Sequence, residues 1–352
     1  MSFRFESMHP LTNIYIVVLS CLALAGCGQA DNSATNTNHQ TNEQAKERPL
    51  DSPQSCVSED QEMLLVKGGP LIVGNDSAYP EESGAFQTEV DDFWISKTEV
   101  TNAQFAEFVA ATNYVTMAER DLNPADFPDI PPELLKTGSA VFVPPAENLS
   151  NVPSLSWWKF IEGAYWRAPL GPGSTIADRA HYPVVHIAFE DALAYAKWKG
   201  HRLVSEAEHE YAAKLSGLDR SLYAWGNEYT INGVHQANTW QGAFPFYDVA
   251  EDGHSGVAPV GCFPPNNYGV HDLIGNVWEW TSSAYYPDHT PMADAPEQGL
   301  DPNQPGIAVR VIKGGSFLCA SNFCMRYRPA ARQAQDTGLG TNHIGFRTAK
   351  SA

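Results

Sequence analysis

Glycine and proline punctuate this chain so densely that neither a long helix nor a wide regular sheet fits between them. The 352 residues include 27 glycines and 25 prolines. That density favours tight turns and ordered irregular loops over a helical bundle. The effect is greatest from Tyr114 to Pro172, where prolines surround the pair Trp157-Trp158 and no apolar period can be read. Long ordered loops packed by aromatic rings are expected there. Elsewhere the apolar runs are short. Met63-Leu64-Leu65-Val66, Leu71-Ile72-Val73 and Phe93-Trp94-Ile95 read as strands bounded by turns. Thr101 and Gln104, and again Ser205 and Glu208, have capping-box spacing, which places helix starts at both. Phe105, Phe108 and Val109 follow the first box, and Tyr211, Ala212 and Leu215 the second. A third helix is expected over Phe189 to Trp198, with Ala192, Tyr195, Ala196 and Trp198 on one face. The fold class is α+β with a large irregular fraction.

The chain divides into three parts. Residues 1–26 read as an export signal, because the apolar run from Leu11 to Gly26 is too short to span a bilayer and ends in small residues. Leu24-Ala25-Gly26-Cys27 resembles the bacterial lipobox, which marks Cys27 for lipidation and anchors the chain to a membrane without spanning it. Residues 27–60 are polar and aperiodic and read as a flexible tether. Residues 61–352 form one folded domain. An exported, lipid-anchored protein facing the periplasm or the cell exterior is the expectation. The net charge of −19 excludes nucleic acid as a partner, since phosphates require a basic surface.

Six cysteines are present. Cys21 lies in the signal, Cys27 at the lipobox, Cys56 in the tether and Cys262 after an expected turn; the last two are candidates for a disulfide in an oxidising compartment. Cys319 and Cys324 stand five positions apart in Gly314-Gly315-Ser316-Phe317-Leu318-Cys319-Ala320-Ser321-Asn322-Phe323-Cys324. Spacing alone leaves a structural disulfide, a redox pair or a soft-metal site open. Thiolates select ions such as Cu(I), whereas zinc wants four ligands and no second close pair is at hand.

The residues around this pair resemble the formylglycine-generating enzymes, the sulfatase-modifying factors. The resemblance rests on the run from Gly314 to Arg332, on Gly345-Phe346-Arg347, and on Asn266 through Trp280, which contains Gly275-Asn276-Val277-Trp278-Glu279-Trp280. Tyr182 to His186, Gly200 to Glu208 and Ala224 to Asn227 fit the same family in order, so that it covers the chain from about Met63 to Ala349. It implies an irregular C-type-lectin-like fold and a monomer that oxidises a cysteine in the Cys-x-Pro-x-Arg segment of an unfolded or nascent sulfatase to Cα-formylglycine. Dioxygen and a thiol reductant would be consumed. Cys319 and Cys324 would bind Cu(I), with Ser316 and Trp278 beside them. Ser316 has a second reading, as a cap of backbone groups in the turn. Two structural calcium sites are also implied. The first comprises Asn238, the Thr239 carbonyl, Asp252 and the His254 carbonyl. The second comprises Asp272, the Gly275 and Val277 carbonyls, and Glu279.

Departures from the family pattern are few. Phe323 replaces a tyrosine of many relatives, His343 an asparagine, and Pro329 a structural cysteine of animal relatives. His186 reads as a satisfied core histidine, and Arg326, Arg328, Arg332 and Arg347 as structural. An iron enzyme of the ergothioneine-synthase type is excluded by the lack of its H-x3-H-x-E motif. A non-catalytic lectin-like binding or maturation module is the rival reading; the Ser316, Cys319 and Cys324 set argues against it.

Overall fold

The computed structural model describes residues 56–57, 62–74, 77–124, 131–145, 155–289 and 297–352. The signal, Cys21, the lipidation candidate Cys27 and nearly all of the tether lie outside the described residues. Among the described residues no helix is long and apolar enough to cross a membrane.

Among the described residues, short strands and three α-helices carry the scaffold. Strands β1 (Met63–Val66), β2 (Gly69–Val73), β3 (Phe86–Val90) and β4 (Phe93–Ser96) precede helix α1 (Asn102–Thr112). Strands β5 (Gly138–Phe142) and β6 (Trp158–Glu162) form a hairpin ladder, followed by α2 (Phe189–Trp198), β7 (Arg202–Leu203) and α3 (Glu206–Ala213). After the small pair β8 (Thr230–Ile231) and β9 (Val234–His235) come β10 (Trp278–Ala284), β11 (Val309–Lys313), β12 (Arg332–Asp336), β13 (Ile344–Gly345) and β14 (Thr348–Ser351). One sheet runs β1-β4-β14-β7, so the C-terminal strand sits between β4 from early in the chain and β7 from its middle. The other runs β12-β11-β10-β13, with β13 parallel to β10.

Local chemistry accounts for the helix starts. The Thr101 hydroxyl accepts from the Gln104 N–H while the Gln104 side chain accepts from the Thr101 N–H. Ser205 and Glu208 repeat the arrangement. Helix α2 has no hydroxyl at its N-cap; the Asp191 carboxylate accepts the Ala188 N–H instead. The expected face of α2 needs one correction. Ala192, Tyr195 and Ala196 are buried, but Trp198 stays 38% exposed, its ring lying over Tyr195 and Phe108 at the edge of the core. Likewise Leu215 falls beyond the end of α3 and is exposed, because the helix stops at Ala213.

Phe105, Trp166, Tyr195 and Phe346 pack ring against ring at the centre, with centroids 5.1–6.4 Å apart. Buried ion pairs join distant segments around this core: Arg328 with Glu82, Arg332 with Glu206, Arg347 with Glu279, and Lys313 with Glu210. The β5–β6 ladder was not legible in the sequence. It breaks the stretch expected to be loop, and its small residues Gly138, Ser139 and Ala140 hide the strand period. Cys56 is also disulfide-bonded to Cys262 across 206 positions. The tether, expected to run to residue 60, is therefore covalently fixed to the domain at Cys56.

Candidate active site

Cys319 and Cys324 are free thiols, with Sγ atoms 3.1 Å apart. That separation is well beyond a covalent S–S bond of about 2.05 Å. The turn itself makes the pair. The Cys319 N–H donates to the Ser316 carbonyl at 2.8 Å, and the Cys324 N–H to the Ala320 carbonyl at 2.8 Å. A second segment holds the turn in place: the Trp240 N–H donates to the Cys319 carbonyl at 3.0 Å. Gly315 permits the close approach on the other side. Its φ is +76°, and a Cβ there would meet the Arg326 carbonyl at 2.6 Å.

Both thiols are buried, at 2% and 8% exposure, yet the residues just before Cys324 are exposed and Phe323 is 52% exposed. The pair therefore lies one residue beneath the surface. Phe323 stacks on Phe244 at 4.5 Å and meets Trp157 edge-on at 5.5 Å, giving an aromatic cluster next to Cys324 in the chain. Hydrogen bonding from the Cys319 thiol, with the Arg326 guanidinium behind it, pulls the Cys324 thiol down to about 6. Burial and the neighbouring sulfur push Cys319 up. The pair thus favours one thiolate backed by one thiol. Arg326, expected to be purely structural, has its Nη1 3.7 Å from the Cys324 sulfur while its other nitrogens bind Glu81.

Ser316 is fully buried, and its hydroxyl accepts from the Leu318 N–H at 3.2 Å. Its own O–H hydrogen remains available to donate. Trp278 is buried in the same core cluster as the two cysteines, and its N–H donates to the His343 carbonyl. His343 lies against the Trp158 ring at 4.7 Å, and its Nδ1 is paired with the Thr341 hydroxyl. His186 is satisfied in the core by Ser139 and the Pro169 carbonyl, as its apolar setting suggested.

The two expected calcium sets differ. In the first, Asp252 accepts from the Thr239 N–H, the His254 N–H and the Gln241 amide. The Gln241 amide also donates to the Thr239 carbonyl, and the Asn238 amide donates to Gly256 and Asn276. The loop is closed by neutral donors.

The second set is crowded with charge. Asp272 and Glu279 are buried, and so is Glu99, which no local motif marks as a member of the set. Glu99 arrives from the segment ahead of α1 and accepts from the Asn276 amide through Oε1 at 3.0 Å. Its Oε2 has no partner among the described residues. Burial, then the Asp272 charge, pushes Glu99 well up, and burial pushes Asp272 up to about 6. Burial also works against the Glu279 charge, but Arg347, with contacts of 2.6 and 2.7 Å, outweighs it and holds Glu279 below its usual range. Three buried carboxyl groups thus face one guanidinium, and the His209 Nε2 stands 3.5 Å from Glu279. No three His, Cys, Asp or Glu side chains are gathered at ligating distance among the described residues, so a cation here also needs carbonyl oxygens such as those of Gly275 and Val277. Gly275 sits in the left-handed region at φ +81°, with the Asn238 carbonyl where its Cβ would be.

A family model described as the sulfatase-modifying factor enzyme 1-like domain matches residues 49–352. The chain is 45% identical over 291 residues to the formylglycine-generating enzyme of Mycobacterium tuberculosis, covering 81% of this chain and 96% of that protein. The chain belongs to the sulfatase-modifying factor family. Members of that family differ in activity: the mouse protein named inactive C-alpha-formylglycine-generating enzyme 2 is 38% identical, with 84% and 87% of the two chains covered. PvdO from Pseudomonas aeruginosa shares the fold, with a TM-score of 0.52 and 24% identity across 85% of this chain and 97% of that one. Within this sulfatase-modifying factor, the thiol pair is the feature that bears on whether it is an active member.

Proposed function

We propose that this protein is a formylglycine-generating oxidase, which converts a cysteine in the Cys-x-Pro-x-Arg segment of a sulfatase polypeptide to Cα-formylglycine with dioxygen and a thiol reductant. The observation that carries the reading is the pair of reduced sulfurs, 3.1 Å apart, next to the exposed ring of Phe323. Two soft donors at that spacing suit Cu(I), which, when bound, supplies the oxygen chemistry that side chains lack. Cys319 and Cys324 would hold it.

The chain's own residues do the rest. Trp240 and the Gly314-Gly315 turn fix the two sulfurs, while the exposed ring of Phe323, with Trp157, offers a platform for the peptide. Ser316 donates its free O–H toward the reacting groups. Trp278 keeps the pocket dry. Arg326 stabilises negative charge on Cys324.

Calcium serves as structural cement in this reading. At the second set it would offset the cost of burying charge on Glu99, Asp272 and Glu279. At the first, it would take over the contacts that the Gln241 amide makes with Thr239 and Asp252. Export and lipid anchoring through Cys27 would place the enzyme where unfolded sulfatases emerge.

The test is mass spectrometry of a Cys-x-Pro-x-Arg peptide incubated with the protein, copper, oxygen and a thiol. We expect an aldehyde product from the wild type and none from Cys319→Ser or Cys324→Ser, each of which should also lose Cu(I) binding. A wild type that binds no Cu(I) and leaves the peptide unchanged would return the protein to the binding-module reading.

A further inference from the structure

A cavity of about 440 Å³ lies behind the aromatic layer formed by Phe142, Trp240 and Phe317. Its walls are largely apolar, with Pro144, Pro169 and Ile176 among them. Three buried residues on its lining carry polar atoms that have no hydrogen-bond partner among the described residues: Trp166 Nε1, Trp240 Nε1 and Asn102 Oδ1. These residues are 0%, 6% and 4% exposed. Buried polar groups are nearly always paired, so three orphans on one cavity mark a place where a partner is expected. Phe317 and Trp240 also connect the cavity to the thiol pair. Phe317 is two residues before Cys319, and Trp240 forms a bridge with Ala320.

We propose that this cavity is a peptide subsite, which takes one apolar side chain together with its two flanking amide groups. The chemistry of the orphans selects that ligand. Two indole N–H groups can only donate, which suits two peptide carbonyls, and the Asn102 oxygen can only accept, which suits a peptide N–H. All three are neutral. The charged groups of the lining, Arg179 and Asp248, are each more exposed than the orphans, so the buried part offers no counter-charge to an ionic ligand. The volume falls in the range of small-ligand pockets. The inference rests on the reading of a polypeptide substrate and extends it: residues beyond the one oxidised would be gripped here, through backbone and one apolar side chain.

The test needs neither copper nor turnover. The mature protein, labelled with ¹⁵N at tryptophan, is titrated with N-acetyl-leucine methylamide, a neutral apolar residue flanked by two amides. We expect saturable one-to-one binding, with movement of two indole N–H resonances that are assigned through Trp166→Phe and Trp240→Phe. Each substitution should weaken the probe about fivefold to tenfold, the loss expected for one neutral hydrogen bond. If one variant fails to fold, the wild-type titration and the other variant still decide. Immobile indole resonances, or benzene binding as tightly and moving them equally, would overturn the proposal and leave a plain apolar void. A silent titration alongside normal aldehyde formation would remove the subsite alone. A normal titration without aldehyde would remove the oxidase reading and keep an amide-binding site.

Discussion

Two clusters of buried ionisable groups lie in this domain, and they are built in opposite ways. The thiol pair is local: six consecutive residues place both sulfurs, and the charge it favours, one thiolate, has Arg326 beside it. The carboxylate cluster is assembled by topology. Glu99 comes from the approach to α1, Asp272 from a loop and Glu279 from β10, and Arg347 follows β13. Its three carboxyl groups share one guanidinium and the His209 imidazole, whose Nε2 is 3.5 Å from Glu279. The contrast teaches that a thiol pair can be set by a few consecutive residues with a cation at hand, whereas the cluster that joins distant segments brings together acids whose charge burial resists.

The largest effect should follow from breaking the carboxylate cluster. Arg347 is fully buried, with its guanidinium on both Glu279 oxygens and on the His271 and Ser96 carbonyls. Arg347→Met leaves the acids without their counter-charge. Removing one partner of a buried ion pair typically costs about 3–5 kcal/mol. We expect chemical denaturation to show a loss in that range, while Arg326→Met, whose side chain is 22% exposed, costs much less. Equal losses from the two would erase the contrast.

A smaller effect separates need for a cation from mere crowding. A ligand at a hundred times its dissociation constant stabilises by about 2.7 kcal/mol. Calcium should raise the thermal midpoint of the wild type, and chelation should remove the gain. Glu99→Gln deletes an acid whose Oε2 is unpaired. We expect the variant to be more stable than wild type without calcium and to gain less from it. A Glu99→Gln protein that is weaker in chelator and responds fully to calcium would show that the carboxylates are satisfied by the protein alone.

The same contrast explains what the sequence disclosed. Capping boxes at Thr101 and Ser205 are written in four consecutive residues, and both appear as expected. The thiol pair is equally local. Glu99 was missed because nothing beside it in Lys97-Thr98-Glu99-Val100 hints at Asp272, 173 positions away; only the packed sheets bring them together. Arg326 reads as structural even though Cys324 is two residues before it, because the bond to Glu81 that orients its guanidinium comes from a segment 245 positions away. The β5–β6 ladder shows no strand period because Gly138, Ser139 and Ala140 are small on one strand and Phe160-Ile161 interrupts the apolar-polar alternation on the other. Trp198 shows the converse error: helical spacing put it on the buried face, but at the last residue of α2 the core has already ended.

The finest test lies inside the thiol turn, where one hydroxyl has two uses. Ser316 accepts from the Leu318 N–H, and it has a hydrogen left to donate. If the turn were its whole duty, Ser316→Ala would cost about 1 kcal/mol of stability, the net value of one hydrogen bond, and turnover would follow the folded fraction. Donation to a charged or polarised partner in the reaction is worth more, about 1.5–3 kcal/mol, which is tenfold or beyond in rate. We therefore expect kcat for peptide oxidation to fall at least about tenfold in Ser316→Ala under conditions where the protein stays folded, with Ser316→Thr retaining part of it. A kcat that matches wild type would confine Ser316 to shaping the backbone, and the local cluster would then consist of the two sulfurs and Arg326 alone.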